Sequence, residues 1–366
     1  MSSIHQVFPE QYDQQLNDKV ARLRADFAHF ELPEIAVFES PASHYRLRAE
    51  FKMWQENNRA HYAMYQPGEY KKPFVIDTFP VASKRINALM GPLLDAINSD
   101  PLLRVRLFQV EFLTTLSGDA LITLLYHKRL DEDWEARAHA LKAELGVDLI
   151  GRSRKQKIVL GRDYVMESLR VGDHTYRYQQ IESGFTQPNG RVCEKMLEWA
   201  VTHSRGLGGD LLELYCGNGN FTLPLSRNFD RVLATELAKS SLASARYNQT
   251  LNDIENVTLV RMSSEDFSQA LDHVRPFRRL RDIDLDSYRF STLFVDPPRA
   301  GLDPHTTEVA QRFDNILYIS CNPETLRDNL ATLTQTHRIA HFAVFDQFPY
   351  THHLECGAVL TKRERS

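Results

Sequence analysis

Long apolar runs are missing from this sequence. No stretch approaches the roughly 20 residues that a membrane-crossing helix needs. The segment from Met1 to Gln15 also lacks the apolar core of a secretory signal, so a cytoplasmic protein is expected. Cysteine is scarce: Cys193, Cys216, Cys321 and Cys356 are the whole set, far apart in the chain. That spacing indicates neither a disulfide framework nor a zinc or iron-sulfur site, so no metal and no iron-sulfur cluster are expected. An excess of positive charge is missing too, with 44 Lys and Arg against 48 Asp and Glu. A protein that coats nucleic acid uniformly is excluded, whereas a local basic face is not. Repeats and low-complexity tracts are absent.

What is present describes a globular chain of 366 residues, 42% hydrophobic and 25% charged, long enough for two domains. Basic residues cluster in the first half, at Arg46, Arg48 and Lys52, at Lys71 and Lys72, at Arg104 and Arg106, at Lys128 and Arg129, and from Arg152 to Lys157. Tyr12 to about Phe30 has helical spacing and is stopped by Pro33. Tyr45, Leu47, Ala49, Phe51 and Met53 then alternate with Arg46, Arg48, Glu50 and Lys52, the pattern of a half-buried strand with a charged face. Further strand-like and helical pieces follow, and residues 1–183 read as an α+β domain. From residue 184 to 366 the rhythm is βαβ, with seven strands expected near 211–215, 232–235, 257–260, 292–295, 316–319, 340–345 and 356–360. The stretch from Arg275 to Tyr288 interrupts this rhythm as a surface insertion.

The segment Asp210-Leu-Leu-Glu-Leu-Tyr-Cys-Gly-Asn-Gly-Asn-Phe-Thr222 is a strand, a glycine turn and a helix start. Gly217 and Gly219 permit close approach of backbone to a ligand, although glycines there serve many strand-to-helix turns. Glu236 ends the next strand, where a carboxylate can accept both ribose hydroxyls of a nucleoside. The third glycine of a dinucleotide fingerprint is missing, which favours a cofactor without phosphates, such as S-adenosylmethionine. In Phe294-Val-Asp-Pro-Pro-Arg299, two prolines stiffen the loop that holds Asp296 at the ligand crevice. Cys321 stands between a strand and a helix opened by Asn322 and Pro323, and a helix N-terminus favours thiolate. The other cysteines read as small buried hydrophobes. His352 and His353 suggest hydrogen bonding rather than a metal, and Glu355 is a candidate proton acceptor.

Five ordered motifs carry a resemblance that spans nearly the whole chain: Ser183-Gly-Phe-Thr-Gln-Pro-Asn189, Glu213-Leu-Tyr-Cys-Gly-Asn-Gly-Asn220, Phe294-Val-Asp-Pro-Pro-Arg299, Ile319-Ser-Cys-Asn-Pro-Glu-Thr-Leu326, and the run from Phe345 to Gly357. The sequence resembles the tRNA (uracil-5-)-methyltransferase family. The resemblance implies a seven-stranded S-adenosylmethionine-dependent methyltransferase domain behind an N-terminal α+β RNA-recognition domain. It implies cofactor contacts from Gln187, Tyr215, Asn220, Glu236 and Asp296, a Cys321 nucleophile and a Glu355 base. The substrate implied is the T arm of tRNA, and other RNAs with a T-loop-like fold remain open. Phe108 would stack in the T loop, with a core phenylalanine as the alternative, and Arg46 and Arg48 would hold phosphates. No obligate protein partner is expected. A ribosomal RNA uridine-5-methyltransferase is the near rival, but such enzymes typically add an N-terminal oligonucleotide-binding domain and often a cysteine cluster. An RNA-folding module without catalysis is the rival of another class.

Overall fold

The computed structural model describes residues 5–66, 68 and 73–364; Lys71 and Lys72 lie outside them. The chain forms two compact units, and they are not two consecutive blocks. One comprises residues 1–10, 41–168 and 180–190, the other residues 11–40, 169–179 and 191–366. The N-terminal helix α1 (Tyr12–Asp26) and strand β1 (Ile35–Phe38) therefore belong with the C-terminal half, unlike a division at 183/184. The physical reason is pairing: β1 joins the edge of the C-terminal sheet in parallel, Ile35 opposite Phe342 and Phe38 opposite Phe345.

The first unit holds β2 (Arg48–Glu56), β3 (Arg59–Met64), β4 (Phe74–Val75), α2 (Lys84–Ser99), α3 (Pro101–Arg104), β5 (Leu107–Thr114), β6 (Ala120–Tyr126), α4 (Glu132–Leu145), β7 (Asp148–Ser153) and β8 (Gln156–Leu160). Its sheet runs β4-β3-β2-β5-β6-β7-β8. The alternation read from Tyr45 to Met53 holds, with Tyr45, Leu47, Ala49, Phe51 and Met53 all buried. Helix α4 is capped by Asp131, which accepts from the Trp134 amide, and the buried Trp134 ring packs against Gly151 of β7. A Cβ at Gly151 would meet the Trp134 ring at 2.2 Å, so only glycine fits there. A two-stranded sheet of β9 (Tyr164–Val171) and β10 (His174–Ile181) follows; its residues divide between the units, and nothing in its short alternating runs separated it from loop in the sequence.

The second unit continues with α5 (Gly190–Ser204), β11 (Asp210–Leu214), α6 (Thr222–Leu225), β12 (Val232–Glu236), α7 (Lys239–Leu251), β13 (Val257–Arg261), α8 (Ser264–Leu271), β14 (Phe290–Val295), α9 (Pro304–Ala310), β15 (Asn315–Ser320), α10 (Pro323–Leu333), β16 (His337–Phe345) and β17 (Glu355–Lys362). All seven expected strands are present, and β1 adds an eighth: the order is β1-β16-β17-β15-β14-β11-β12-β13. Every neighbouring pair is parallel except those made by β17, which is inserted antiparallel between β15 and β16. The insertion at 275–288 holds two single-turn 3-10 helices, Arg278–Leu280 and Leu285–Ser287. Among the described residues no helix is long and apolar enough to cross a membrane.

Helix α1 buries Tyr12, Leu16, Lys19, Val20 and Leu23, a helical stripe interrupted by one lysine. Lys19 reaches Asp346, the residue after β16, at 2.7 Å, with the two side chains 2% and 0% exposed. Lys19 also donates to the Phe348 carbonyl, and Gln15 donates to the other Asp346 oxygen at 2.8 Å. The helix thus grips the loop that runs into β17. Removing one member of a buried pair strands the other, which costs about 3–5 kcal/mol. Lys19→Met is expected to lower the unfolding free energy of the full chain by about that much in urea titrations, and a loss below ~1 kcal/mol, the value of a surface pair, would contradict the buried pairing.

Candidate active site

In an open parallel sheet, ligands bind beyond the carboxyl ends of the strands where the strand order reverses. Here that point lies between β11 and β14, because the chain moves outward through β12 and β13 and then returns to the other side of β11. Tyr215, Gly217 and Asn220 follow β11, Glu236 closes β12, Asp296 follows β14 and Cys321 follows β15. Glu355 opens β17, and since that strand is antiparallel its beginning lies at the same edge. Register makes this specific: Ser320 pairs with Cys356, and Phe345 with Glu355. Cys321 and Glu355 are the next residues beyond the Ser320–Cys356 pair. A one-residue slip would turn Glu355 to the opposite face.

The edge that follows β11 and β12 is preorganised. Tyr215 holds φ at 63°, Gly217 at 56° and Gly219 at 86°, a run of left-handed backbone that curls the turn upward. Gly217 donates its amide to Glu236 Oε2 at 3.0 Å, and Ala238 donates to Oε1 at 2.7 Å, so the carboxylate is fixed against the turn. Tyr215 donates its hydroxyl to Ser264, and Tyr178 donates to the Asn220 carbonyl. Ser264 and Tyr178 carried no signal in the sequence, since each acts through another residue's position.

The acids are the electrostatic centre. Asp296 and Glu355 accept no hydrogen bond among the described residues. Burial pushes the Asp296 carboxyl up to about 7, and burial together with the Asp296 charge pushes Glu355 up to about 8, against a lowering by Arg299. Glu213, inside β11 and 1% exposed, is pushed up to about 8, by burial first and by Asp296 and Glu236 after it; its Oε2 has no partner.

The thiol overturns an expectation. Asn322 does cap α10, accepting from the Glu324 amide at 3.2 Å, with Pro323 at the first helical position. The Cys321 thiol is nevertheless pushed up to about 11, by burial and then by Glu355 and Asp296. A helix terminus contributes fractions of a kcal/mol to about 1 kcal/mol, which two nearby carboxylates and partial desolvation outweigh. Cys321 is still the one cysteine that is not fully buried. It lines a cleft of about 360 Å³ together with Arg22 of α1, Arg299 and His353. Arg299 donates to a His353 ring nitrogen at 2.8 Å, so hydrogen bonding, as expected, is what this histidine does. The Arg299 carbonyl accepts from Asn322 and Thr325, which ties the Asp-Pro-Pro-Arg loop to the cysteine loop.

Four expected residues belong to the first unit: Gln187, Phe108, Arg46 and Arg48. Gln187 Oε1 is buried without a partner. Phe108 is 38% exposed, not a core side chain; it stacks on His127 at 4.2 Å with Lys52 over its ring. Arg46 donates through Nε to the Arg48 carbonyl. Arg48 donates from its two terminal nitrogens to the Glu182 and Gly184 carbonyls, each at 3.0 Å, while its buried Nε has no partner. The sequence concealed this because the two acceptors lie more than 130 residues away.

This doubly wound sheet, with a glycine turn, a carboxylate fixed against that turn and a cysteine at its ligand edge, defines an S-adenosylmethionine-dependent methyltransferase. The model of the tRNA (Uracil-5-)-methyltransferase family matches residues 11–363, and the chain belongs to that family, whose reaction is methyl transfer to C5 of uracil in tRNA. A tRNA/tmRNA (uracil-C(5))-methyltransferase of Cellvibrio japonicus is 62% identical over 352 residues, 96% of each chain. One of Saccharophagus degradans is 58% identical over 363 residues, covering 99% of this chain and 100% of that one. Among solved structures, the Pyrococcus abyssi tRNA (uracil-54, C5)-methyltransferase in complex with S-adenosyl-L-homocysteine matches with a TM-score of 0.72 at 20% identity, over 96% of this chain and 83% of that one, which supports the fold.

Two outcomes test these electrostatics. Alkylation of Cys321 by iodoacetamide in the free protein, mapped by mass spectrometry, is expected to rise about tenfold per pH unit from 7 to 10; a plateau below pH 8 would show a low thiol pKa instead. The folded protein keeps the Glu213 proton to about pH 8, whereas its ordinary value is 4.5. Folding therefore takes up a proton in that window, and stability is lost as pH rises through it, by at most about 1.36 kcal/mol per unit. Glu213→Gln should flatten the fall in urea midpoint between about pH 5 and 8, and an unchanged slope would place the titration elsewhere.

Proposed function

We propose that this protein methylates C5 of the T-loop uridine of tRNA through a covalent cysteine adduct. The observation that carries this is the register that sets Cys321 and Glu355 side by side at the edge where Asp296 and Glu236 also stand. C5 of uracil is too weak a nucleophile to take a methyl group unaided. Addition of the Cys321 sulfur to C6 pushes electron density to C5 and makes an enolate. S-adenosylmethionine supplies the electrophilic methyl group when bound. C5 then carries both a hydrogen and the new methyl; Glu355 in its carboxylate form takes the hydrogen as a proton, the C6–S bond breaks, and the sulfur leaves as thiolate.

Gln187, Tyr215, Gly217, Asn220, Glu236 and Asp296 are the residues proposed to hold the cofactor. The pair of fixed amide contacts on Glu236 leaves its outer lone pairs for ribose hydroxyls. The buried Gln187 Oε1, without a partner, is an acceptor open to a cofactor donor. Phe108 is the proposed stacking residue for the T loop, given its exposed ring, and Arg46 and Arg48 are the proposed phosphate contacts. A stacked uridine shields both faces of its ring, so the base must be extruded at a cost of a few kcal/mol. No obligate protein partner is proposed, and the setting is cytoplasmic. The names of the relatives favour a second substrate beside tRNA: they are tRNA/tmRNA enzymes, and a tmRNA with a T-loop fold presents the same uridine.

The test mixes the protein and S-adenosylmethionine with 5-fluorouridine-substituted tRNA and ribosomal RNA fragments. Fluorine does not leave as a cation, so the adduct is trapped. A Cys321 adduct on the T-loop uridine is expected, and an adduct on ribosomal RNA alone would move the assignment to that substrate. Cys321→Ala should abolish methylation and adduct together. Glu355→Gln should leave methylated adduct accumulating on unsubstituted tRNA, and free turnover in that variant would rule out Glu355 as the base.

A further inference from the structure

The basic cluster from Arg152 to Lys157 separates into two kinds of residue once folded. Arg152 makes a bidentate pair with Glu182 at 2.6 and 2.5 Å. Lys157 lies 2.7 Å from Asp163 and 3.7 Å from Glu182. These two are neutralised within the protein. Arg154 and Lys155, in the turn between β7 and β8, are exposed and make no hydrogen bond or ion pair with any described residue. Facing them is the end of β6, where Arg129 is exposed and likewise unpaired. Lys128 beside it donates to the Leu102 carbonyl at 2.8 Å and lies over the Tyr126 ring.

The two segments are fastened to each other. Ser153 donates its hydroxyl to the Lys128 carbonyl, while Gln156 accepts from the Leu130 amide at 3.0 Å and donates to the Leu130 carbonyl at 3.1 Å. Residues 126–129 and 153–156 enclose a concavity of about 760 Å³ with no Asp or Glu in its lining. The acids that act on Lys128, Asp131 first and Asp100 after it, are engaged elsewhere: Asp131 caps α4, and Asp100 pairs with Arg137 at 2.9 Å. Cations are therefore held together along a fixed groove whose own lining carries no carboxylate, in a chain of net negative charge.

We propose that this groove binds the sugar-phosphate backbone of the RNA substrate, with Arg129, Arg154 and Lys155 as phosphate contacts and Lys128 on its wall. The inference rests on the reading of the chain as a tRNA methyltransferase. The cations are spread along two segments rather than converged on one point, which suits successive phosphates of a strand better than a single small anion. Such contacts give affinity and orientation without reading sequence.

The experiment compares the wild-type full chain with an Arg129→Ala/Arg154→Ala/Lys155→Ala variant and its charge-keeping counterpart, Arg129→Lys/Arg154→Lys/Lys155→Arg. Binding to a tRNA transcript is measured by anisotropy across a salt series, with thermal melts to confirm folding. The alanine variant is expected to weaken binding on the order of tenfold and to reduce the slope of log K against log salt by about one per cation removed. S-adenosylmethionine affinity and the rate at saturating tRNA should be unchanged, and the charge-keeping variant should restore the slope. An unchanged affinity, or weaker binding with an unchanged slope, would overturn the groove while leaving the methyltransferase reading intact. A wild-type protein that binds RNA but methylates no uridine would overturn that reading and leave the slope comparison to decide the groove.

Discussion

The antiparallel insertion of β17 between β15 and β16 is the constraint from which the site follows. In a wholly parallel sheet, every strand would begin at the edge remote from the ligand, and Glu355 would begin there too. Because β17 runs the other way, its first residue arrives where the others end. Its ladder with β15 runs from Asn315–Thr361 to Ser320–Cys356, which holds the register along the whole length of β15. The same strand pairs with β16, whose end leads into the loop gripped by α1 through Lys19 and Gln15. The N-terminal helix, the last strand and the cysteine loop are thus parts of one mechanical unit. That is why residues 11–40 fold with the C-terminal half.

The site stores electrostatic free energy. Glu213, Asp296 and Glu355 are three carboxyls held above their ordinary range at one sheet edge, and a fourth acid, Glu236, is kept in place by two amides. Burial first, and then the Glu355 and Asp296 members of this cluster, disfavour further negative charge, which explains a thiol pushed up rather than down. It also favours a cation. A sulfonium cofactor beside these carboxylates has the complementary sign, and Arg299, which lowers both Cys321 and Glu355, is the protein's own contribution of positive charge. The resting chemistry of the free protein is accordingly quiet, with the Cys321 thiol mostly protonated.

Much was legible before folding was considered. The βαβ rhythm gave the strands because each is a short apolar run bounded by turn signals, and Cys321 stood out because it alone among the cysteines sits between a strand and a proline-opened helix. Other features were hidden for definite reasons. Strand β1 is four residues long and is a strand only through its pairing with β16. The carbonyls that anchor Arg48, those of Glu182 and Gly184, are distant from it in sequence and so left no local signal. The expected direction of the thiol shift came from the local helix, whereas burial first, and then the Glu355 and Asp296 carboxylates, set the direction observed.

The sequence by itself determined the local chemistry: glycines where the backbone turns left-handed, prolines that stiffen the Asp296 loop, an asparagine cap behind the cysteine, and alternation that separates buried from charged faces. These depend on neighbours within a few residues, so a linear reading reaches them. Only the tertiary structure decided which residues meet. It brought Glu355 to Cys321 across an antiparallel register, set Lys19 against Asp346 over more than 300 residues, neutralised Arg152 and Lys157 while leaving Arg154 and Lys155 bare, and raised the thiol by desolvation. Burial and charge act through space, and their size depends on distances that chain order does not contain.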